Sequence, residues 1–534
     1  MKKRMANRSL IVECCLRLAS PSRFARTLSV LMALAAAGAV HADDPALDTP
    51  AQKEAPTAFA AKEPKPVLTW GKGNDKSYVI PAAEILSFEY LLNRVDHYFV
   101  DSSTYGSPTS DLSQNFNRKW IVDNDKFATN QFLHPYQGSM YQGFARSAGL
   151  NFWQASAYTF AGSVLWEESG EHTKPSINDQ VASGISGNLL GEPLFRLASL
   201  LLESGGDGNP GIWRELGAAA ISPATGINRL AFGDRFGGVF RSHDPAVFTR
   251  VDLGATLNTH FSSNVNVNTD PVGPPAEQTL KKNEASADLT VAYGLPGKPG
   301  YTYTRPFDYF SFEFKASTSN TFENVFSNGL LYGTDYEIGK SYRGIWGLYG
   351  TYSYVEPQIF KVSTTAASLG TTAQWWVSRK IALQGSALAG LGYGGGGVVH
   401  GAGIAPPGAN GDGQRDYHYG LAPQELLALR MVIGDRVSID TTARDYYISG
   451  LASTEHGGSE NIIRADIGVT LRVYNLHGLT LRYSESQRDG RYSDRPASHQ
   501  KVGAVSIGYT LLGQDYLGTV DWRPAEDGGP EPNP

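Results

Sequence analysis

Ile463-Arg464-Ala465-Asp466-Ile467-Gly468-Val469-Thr470-Leu471-Arg472-Val473-Tyr474 and, three residues on, Gly478-Leu479-Thr480-Leu481-Arg482-Tyr483-Ser484 decide how this chain folds. Ile463, Ala465, Ile467, Val469, Leu471 and Val473 alternate with Arg464, Asp466, Thr470 and Arg472. That is the period of a strand with two unlike faces. The gap between the two runs is short enough for a tight antiparallel turn. One face is apolar and the other carries full charges of both signs.

The same pattern extends outward in both directions. Leu253, Ala255 and Leu257 alternate with Asp252, Thr256 and Asn258, and Phe310, Phe312 and Phe314 with Ser311, Glu313 and Lys315. Twelve strands are expected, at about 247–261, 285–294, 306–317, 329–339, 342–355, 362–377, 380–393, 420–433, 436–449, 461–474, 478–488 and 501–512. Pro423 weakens the eighth, because proline has no N–H for a ladder. Long and short connections alternate along the series, and Tyr354, Trp375, Trp376, Tyr447, Tyr474 and Tyr483 cluster at strand ends. A soluble sandwich explains the alternation of side chains but not the alternation of loop lengths. Both fit a transmembrane antiparallel β-barrel of about 12 strands, with the Phe310–Phe314 face towards lipid.

Before residue 247 the period is helical. Residues 72–206 are expected to form a small α-helical domain on the periplasmic side, covering or entering the barrel mouth, and 207–246 a connecting segment. Asn151 suits the N-cap of a helix from Phe152 to about Glu168, and Ser176 that of a short one. A helix over 186–203 is expected to be interrupted at Pro193.

The chain opens with a signal-peptide pattern over 1–42. Lys2, Lys3, Arg4, Arg8, Arg17, Arg23 and Arg26 precede an apolar run from Leu28 to Val40, and Val40-His41-Ala42 suits cleavage. Residues 43–71 read as a disordered linker, and 513–534 as an acidic, proline-rich tail. Both cysteines, Cys14 and Cys15, fall in the signal, so no cysteine chemistry is expected after cleavage. The signal takes seven of the 46 basic and one of the 52 acidic residues, leaving 39 against 51, a formal charge of −12. Such a surface speaks against a nucleic-acid partner. The expected location is the outer membrane of a Gram-negative envelope. The expected partners are its lipid and lipopolysaccharide, with the barrel-assembly machinery during biogenesis.

Two groups of residues invite chemistry. Arg250, Asp252, Glu313, Arg430, Arg464, Asp466, Arg472 and Arg482 fall on inward strand positions. There they either line a pore or pair across a closed lumen, and pairing is the favoured reading. The second group lies between Asn130 and Glu192. His134, Glu167, Glu168, Glu171 and Asp179 are candidates for general acid–base work or, with Glu192 and His172, for carboxylate–histidine metal ligation. No His-Glu-x-x-His and no Gly-x-Ser-x-Gly supports either, and Ser139 and Ser163 lack a nucleophile's setting. The favoured reading is that these groups cap helices and bond one another inside a compact domain. No cofactor or resident metal is expected.

Asn130-Gln131-x-x-His134-Pro135-Tyr136-x-Gly138, Trp166-Glu167 with Glu171, Pro175-Ser176-Ile177-Asn178-Asp179 and Gly191-Glu192 together resemble an uncharacterised bacterial family, domain of unknown function 3943. The resemblance covers about residues 115–210. It implies an exported Gram-negative protein with no assigned reaction. The expected role is envelope structure, or the handling or transport of a small solute or lipid. The alternative is an envelope enzyme acting on lipid, lipopolysaccharide or glycan through the His134/Glu168 cluster.

Overall fold

A computed structural model describes residues 76–523, apart from 101, 103, 107, 124, 205–209, 234–235, 268–275, 400–416, 451–456 and 494–495. The expected signal peptide, the linker and the end of the tail lie outside the described residues.

Among the described residues fourteen strands follow the helices: β1 Val247–Ser263, β2 Asn266–Val267, β3 Ala276–Glu277, β4 Asn283–Tyr293, β5 Phe310–Ser317, β6 Asn324–Ile338, β7 Tyr342–Val355, β8 Phe360–Trp376, β9 Ile381–Val398, β10 Tyr417–Ile433, β11 Val437–Ser449, β12 Gly458–Tyr474, β13 His477–Tyr492 and β14 Ser498–Leu512. β2 and β3 form a small ribbon. The other twelve close into one antiparallel barrel, with β1 paired to β14 on one side and to β4 on the other. The alternating stretch that opens this section is the β12–β13 hairpin, with Leu471 opposite Leu479. β10 tolerates Pro423 because its ladder to β11 begins only at Gln424. The tight turns β6–β7, β8–β9, β10–β11 and β12–β13 gather at one end of the barrel, with both chain ends of the strand series and the longer 294–309 connection; the opposite end carries connections that range from 356–359 to 264–282.

The inward face is charged, and the charges pair across the lumen. Arg250 of β1 reaches Asp440 of β11 at 2.8 Å, Arg444 of β11 reaches Glu313 of β5 at 2.8 Å, and Arg482 of β13 reaches Asp288 of β4 at 2.5 Å. None of these strand pairs are neighbours in the sheet. Arg430 adds a second contact to Asp440, and Arg464 lies against Asp466. Arg472 sits at the turn end, on Asp435.

Both mouths are filled. At the turn end, residues 513–523, part of the expected tail, fold back as a strap. Gln384 donates to the Gly518 carbonyl at 2.9 Å and Gln374 to that of Val520 at 2.6 Å, while Leu517 and Val520 pack on Phe248, Val432 and Leu512. At the loop end, Ile359 and Leu280 cap a layer of Val362, Ala422, Ile448 and Ile462, and Gln278 and Gln500 both donate to the Ile359 carbonyl. A cavity of about 40 Å³ beside Thr256, Glu323, Arg464 and Ser484 has room for roughly three waters.

The outward face is apolar and bare on much of the wall, with Leu253, Leu427, Ile467, Leu471, Leu479, Leu481 and Ile507 all exposed. On β13 the outward residues turn polar after Tyr483, at Glu485, Gln487 and Asp489. An aromatic at the edge of an apolar belt is the girdle of a membrane barrel.

The helices precede the strands: α1 Val79–Phe99, α2 Pro108–Asn115, α3 His134–Ser147, α4 Phe152–Ser169, α5 Ile177–Val181, α6 Gly187–Glu203, α7 Ile212–Ile221 and α8 Pro223–Phe232. A π-helical turn, Thr129–Leu133, leads into α3, and another, Ala182–Ser186, joins α5 to α6. Asn151 caps α4 in a capping box with Gln154, and Ser176 caps α5. The stretch read as a connecting segment contributes α7 and α8, which pack on α6 and α3.

Two expectations are corrected here. The helical domain neither covers nor enters a mouth of the barrel, and the Phe310–Phe314 face does not meet lipid. Glu313 and Phe326 point inward beside Arg444, so Phe310, Phe312, Phe314, Val325, Ser327, Tyr352 and Tyr354 point outward. The helices pack on that outward side, with Phe127, Phe152, Leu189 and Leu190 sharing one core with Phe310, Phe312, Tyr352 and Tyr354. Period two says which side chains share a face, not what covers it.

Candidate functional site

The motif residues divide into a clasp and a polar cluster. The clasp ties helices to barrel. Glu192, fully buried on α6, accepts from Arg146 of α3 at 2.8 Å and from Arg196 at 2.9 Å. Arg196 continues to Asp308, just before β5, at 3.1 Å and donates to the Pro306 carbonyl at 2.6 Å. Gly191 lies against Gln142, where a Cβ would collide.

Prolines supply a second tie. Pro193 does not interrupt α6, which runs on through it. Proline has no N–H for the carbonyl four residues back, and that carbonyl, Leu189, accepts instead from the Ser327 hydroxyl of β6 at 2.6 Å. Pro135 stands four residues after Gln131, and the Gln131 carbonyl accepts from Tyr352 of β7 at 2.6 Å. Ser327 and Tyr352 are direct cross-strand partners.

The polar cluster centres on His134. Its Nδ1 is 3.1 Å from Ser183 Oγ, and its Nε2 is 3.9 Å from Asp179 Oδ2. All three side chains are buried. Both π-helical turns lie here: His134 directly follows one, and Ser183 is inside the other. Such turns recur at functional sites. The helices cross closely at this point, since a Cβ on Gly138 would run into the Ser183 carbonyl and one on Gly187 into Gly138.

Around this trio the chain gathers amides and carboxylates. Asp123 accepts from Asn130 and Asn178, each at 2.6 Å, and Asn130 also reaches the Tyr417 hydroxyl of β10 at 2.9 Å. Glu167 accepts from the Ser176 backbone N–H at 2.7 Å, and the Trp166 indole donates to Glu171 at 3.1 Å. In the flanking loops, burial pushes Asp125 up to about 6, with Asp123 adding to the rise, and burial also raises Glu171. Among the described residues no group of three or more His, Cys, Asp or Glu is set to hold a metal ion.

The structure therefore brings His134, Asp179, Glu167, Glu171 and Asn130 into one region. It leaves Tyr136 exposed, and Glu168 half-exposed and turned towards Trp120. Ser183 is the residue that sequence reasoning missed. Ala182-Ser183-Gly184 carries no nucleophile motif, and only the fold places it against a histidine 49 positions earlier.

Fold and site together define a β-barrel whose lumen is crossed by ion pairs, with a helical domain packed on its outer wall. Residues 119–224 match the family model described as "Domain of unknown function (DUF3943)", so this segment is a domain of that family. No curated protein matches the chain. Among solved structures, the chain is similar to a NanC porin (8% identity, TM-score 0.25, covering 48% of this chain and 98% of that one). It is also similar to the outer membrane channel DcaP of Acinetobacter baumannii (9%, 0.22, 50% and 96%) and to an anion-selective porin from Comamonas acidovorans (8%, 0.18, 50% and 98%). The barrel rests on its own strand pairing, and likenesses this distant add nothing on function.

Proposed function

We propose that the chain is an outer-membrane protein whose barrel is an anchor, not a pore, and which handles lipid through the helical domain on its outer wall. The observation that carries this reading is the filled lumen. Ion pairs cross it, the 513–523 strap occupies one mouth and the Ile359 layer the other. The barrel has nothing to conduct, while its working motifs sit outside it. The bare belt of Leu253, Ile467, Leu481 and Ile507 supports placement in a bilayer, because solvent-facing strands do not carry such a surface. Purified full-length protein in planar bilayers is expected to show no unitary conductance. Regular porin-like steps from the intact chain would refute the anchor reading.

A second reading is favoured by the Ser183–His134–Asp179 arrangement: hydrolysis of an acyl ester of an envelope lipid. Ser183 Oγ would attack the ester carbonyl, His134 take its proton and pass it to the leaving alcohol, and Asp179 steady the imidazolium. Water would then release the acyl group by the same route. Ser183 is buried, so acylation requires the Ala182–Ser186 turn to open. A fluorophosphonate probe should label the wild type at Ser183 and leave Ser183→Ala unmarked. Labelling that is absent from folded wild type, or unchanged in the variant, disposes of this reading.

A further inference from the structure

We propose that the helical domain lies in the lipid itself, beside the barrel, with acyl chains covering its outer surface. The inference deepens the proposed function and rests on its placement of the barrel in a bilayer.

Helices α1, α7 and α8 carry large apolar residues on their outer faces. On α1 the buried side is Ile80, Ile85, Glu89 and Asn93, whereas Leu86, Tyr90, Leu91, Val95, Tyr98 and Phe99 are exposed. On α8, Thr225 and Asn228 are buried while Ile227 and Leu230 face out, and α7 exposes Ile212, Trp213 and Leu216. α4 buries Ser156, Thr159, Ser163 and Glu167. Leu91 is 61% exposed, Trp213 82% and Leu230 89%. A domain in water places its polar residues outside. Polar residues that face the bundle interior while apolar ones face out are the arrangement lipid demands. No helix of the described residues is long and apolar enough to cross a membrane on averaged hydropathy. That average mixes the two faces of α1, whose 21 residues extend about 31 Å.

The barrel shows where this surface sits. An apolar belt must encircle a membrane barrel without a gap. On β5 the outward Phe310 and Phe312 are buried in the core shared with the helices and Phe314 is partly buried against it, so there the helices must complete the belt. The two surfaces also join: Trp153 of α4 stacks at 5.3 Å on Tyr332 of β6, an outward residue that is itself 49% exposed. On β7, Gly350 is covered by Leu189, while Trp346, two outward positions nearer the turn end, is bare. The occupant of the helical surface is therefore what occupies the adjoining belt. A partner protein would have to cover faces of α1, α7 and α8 together.

Nitroxide labels in lipid vesicles test this, on full-length variants in which Cys14→Ser and Cys15→Ser leave one introduced cysteine. Leu91→Cys and Leu230→Cys report on the helices, and Leu481→Cys on the barrel belt. All three should collide several-fold more often with oxygen than with water-soluble nickel chelate. Nickel access at Leu91 and Leu230, with Leu481 still in lipid, overturns the inference and spares the barrel's placement. Exclusion of both reagents at the two helix sites shows a protein cover and overturns it too. Nickel access at Leu481 overturns the barrel's placement and the inference with it.

Discussion

Glu192→Ala should cost about 3–5 kcal/mol and loosen the helical domain where α3 meets α6. The carboxylate is the shared counter-ion of Arg146 and Arg196, and all three side chains are buried. Truncating one member of a buried ion pair strands the other, and that penalty exceeds what the pair itself contributes. Arg196 keeps Asp308 and the Pro306 carbonyl, but Arg146 keeps no acid and lies against the rings of Phe195 and Phe240. The measurement is limited proteolysis of folded protein in detergent. Fragments from residues 134–232 should appear many times faster, while the barrel keeps its heat-modifiable migration on gels. Combining Glu192→Ala with Arg146→Met, which leaves no charge stranded on α3, should recover most of the protection. Unchanged proteolysis of the single variant would show that the clasp lies elsewhere.

The same residues show how far the sequence could be read. The barrel was legible because lipid outside and paired charge inside impose period two on every strand, as in Ile463 to Val473. The expected alternation of loop lengths holds only in part, because 294–309 is long at the end of the tight turns and 356–359 is short at the other. Glu192 and Arg196 were visible as charges on an apolar helix, but not as a joint, because their partners Arg146 and Asp308 are 46 and 112 positions away. Phe310 to Phe314 was read correctly as the outward face, yet period two carries no information on whether lipid or another helix meets it. The apolar outer face of α1 was hidden for a related reason. Ile85, Phe88, Leu91 and Val95 recur at helical spacing whichever side is wet, and the sign of the pattern follows from which face finds Tyr141 and Phe144. The cluster around His134 was legible as composition, whereas Ser183 depends on a crossing of helices that no local motif announces.

Pro193 was read as a break, and the reason it is not one yields the other large effect expected. The proline leaves the Leu189 carbonyl without its helical donor, and Pro135 does the same to Gln131. In a buried joint each unpaired carbonyl costs about 1–3 kcal/mol, so the helices gain by lying where Ser327 and Tyr352 can donate. These two stand opposite each other on β6 and β7, which fixes the domain's position on the wall as well as its attachment. Ser327→Ala together with Tyr352→Phe should therefore destabilise docking by about 2–6 kcal/mol, read as accelerated proteolysis of the helices with the barrel intact. The specific check is rescue. Pro193→Ala restores an N–H that can bond Leu189 within α6, so it should return about half of the lost protection in the double variant. In the wild-type background the same substitution frees Leu189 from its dependence on Ser327, and removing the hydroxyl should then cost little. If Ser327→Ala is equally harmful with and without Pro193, its effect comes from packing and the carbonyl plays no part in docking.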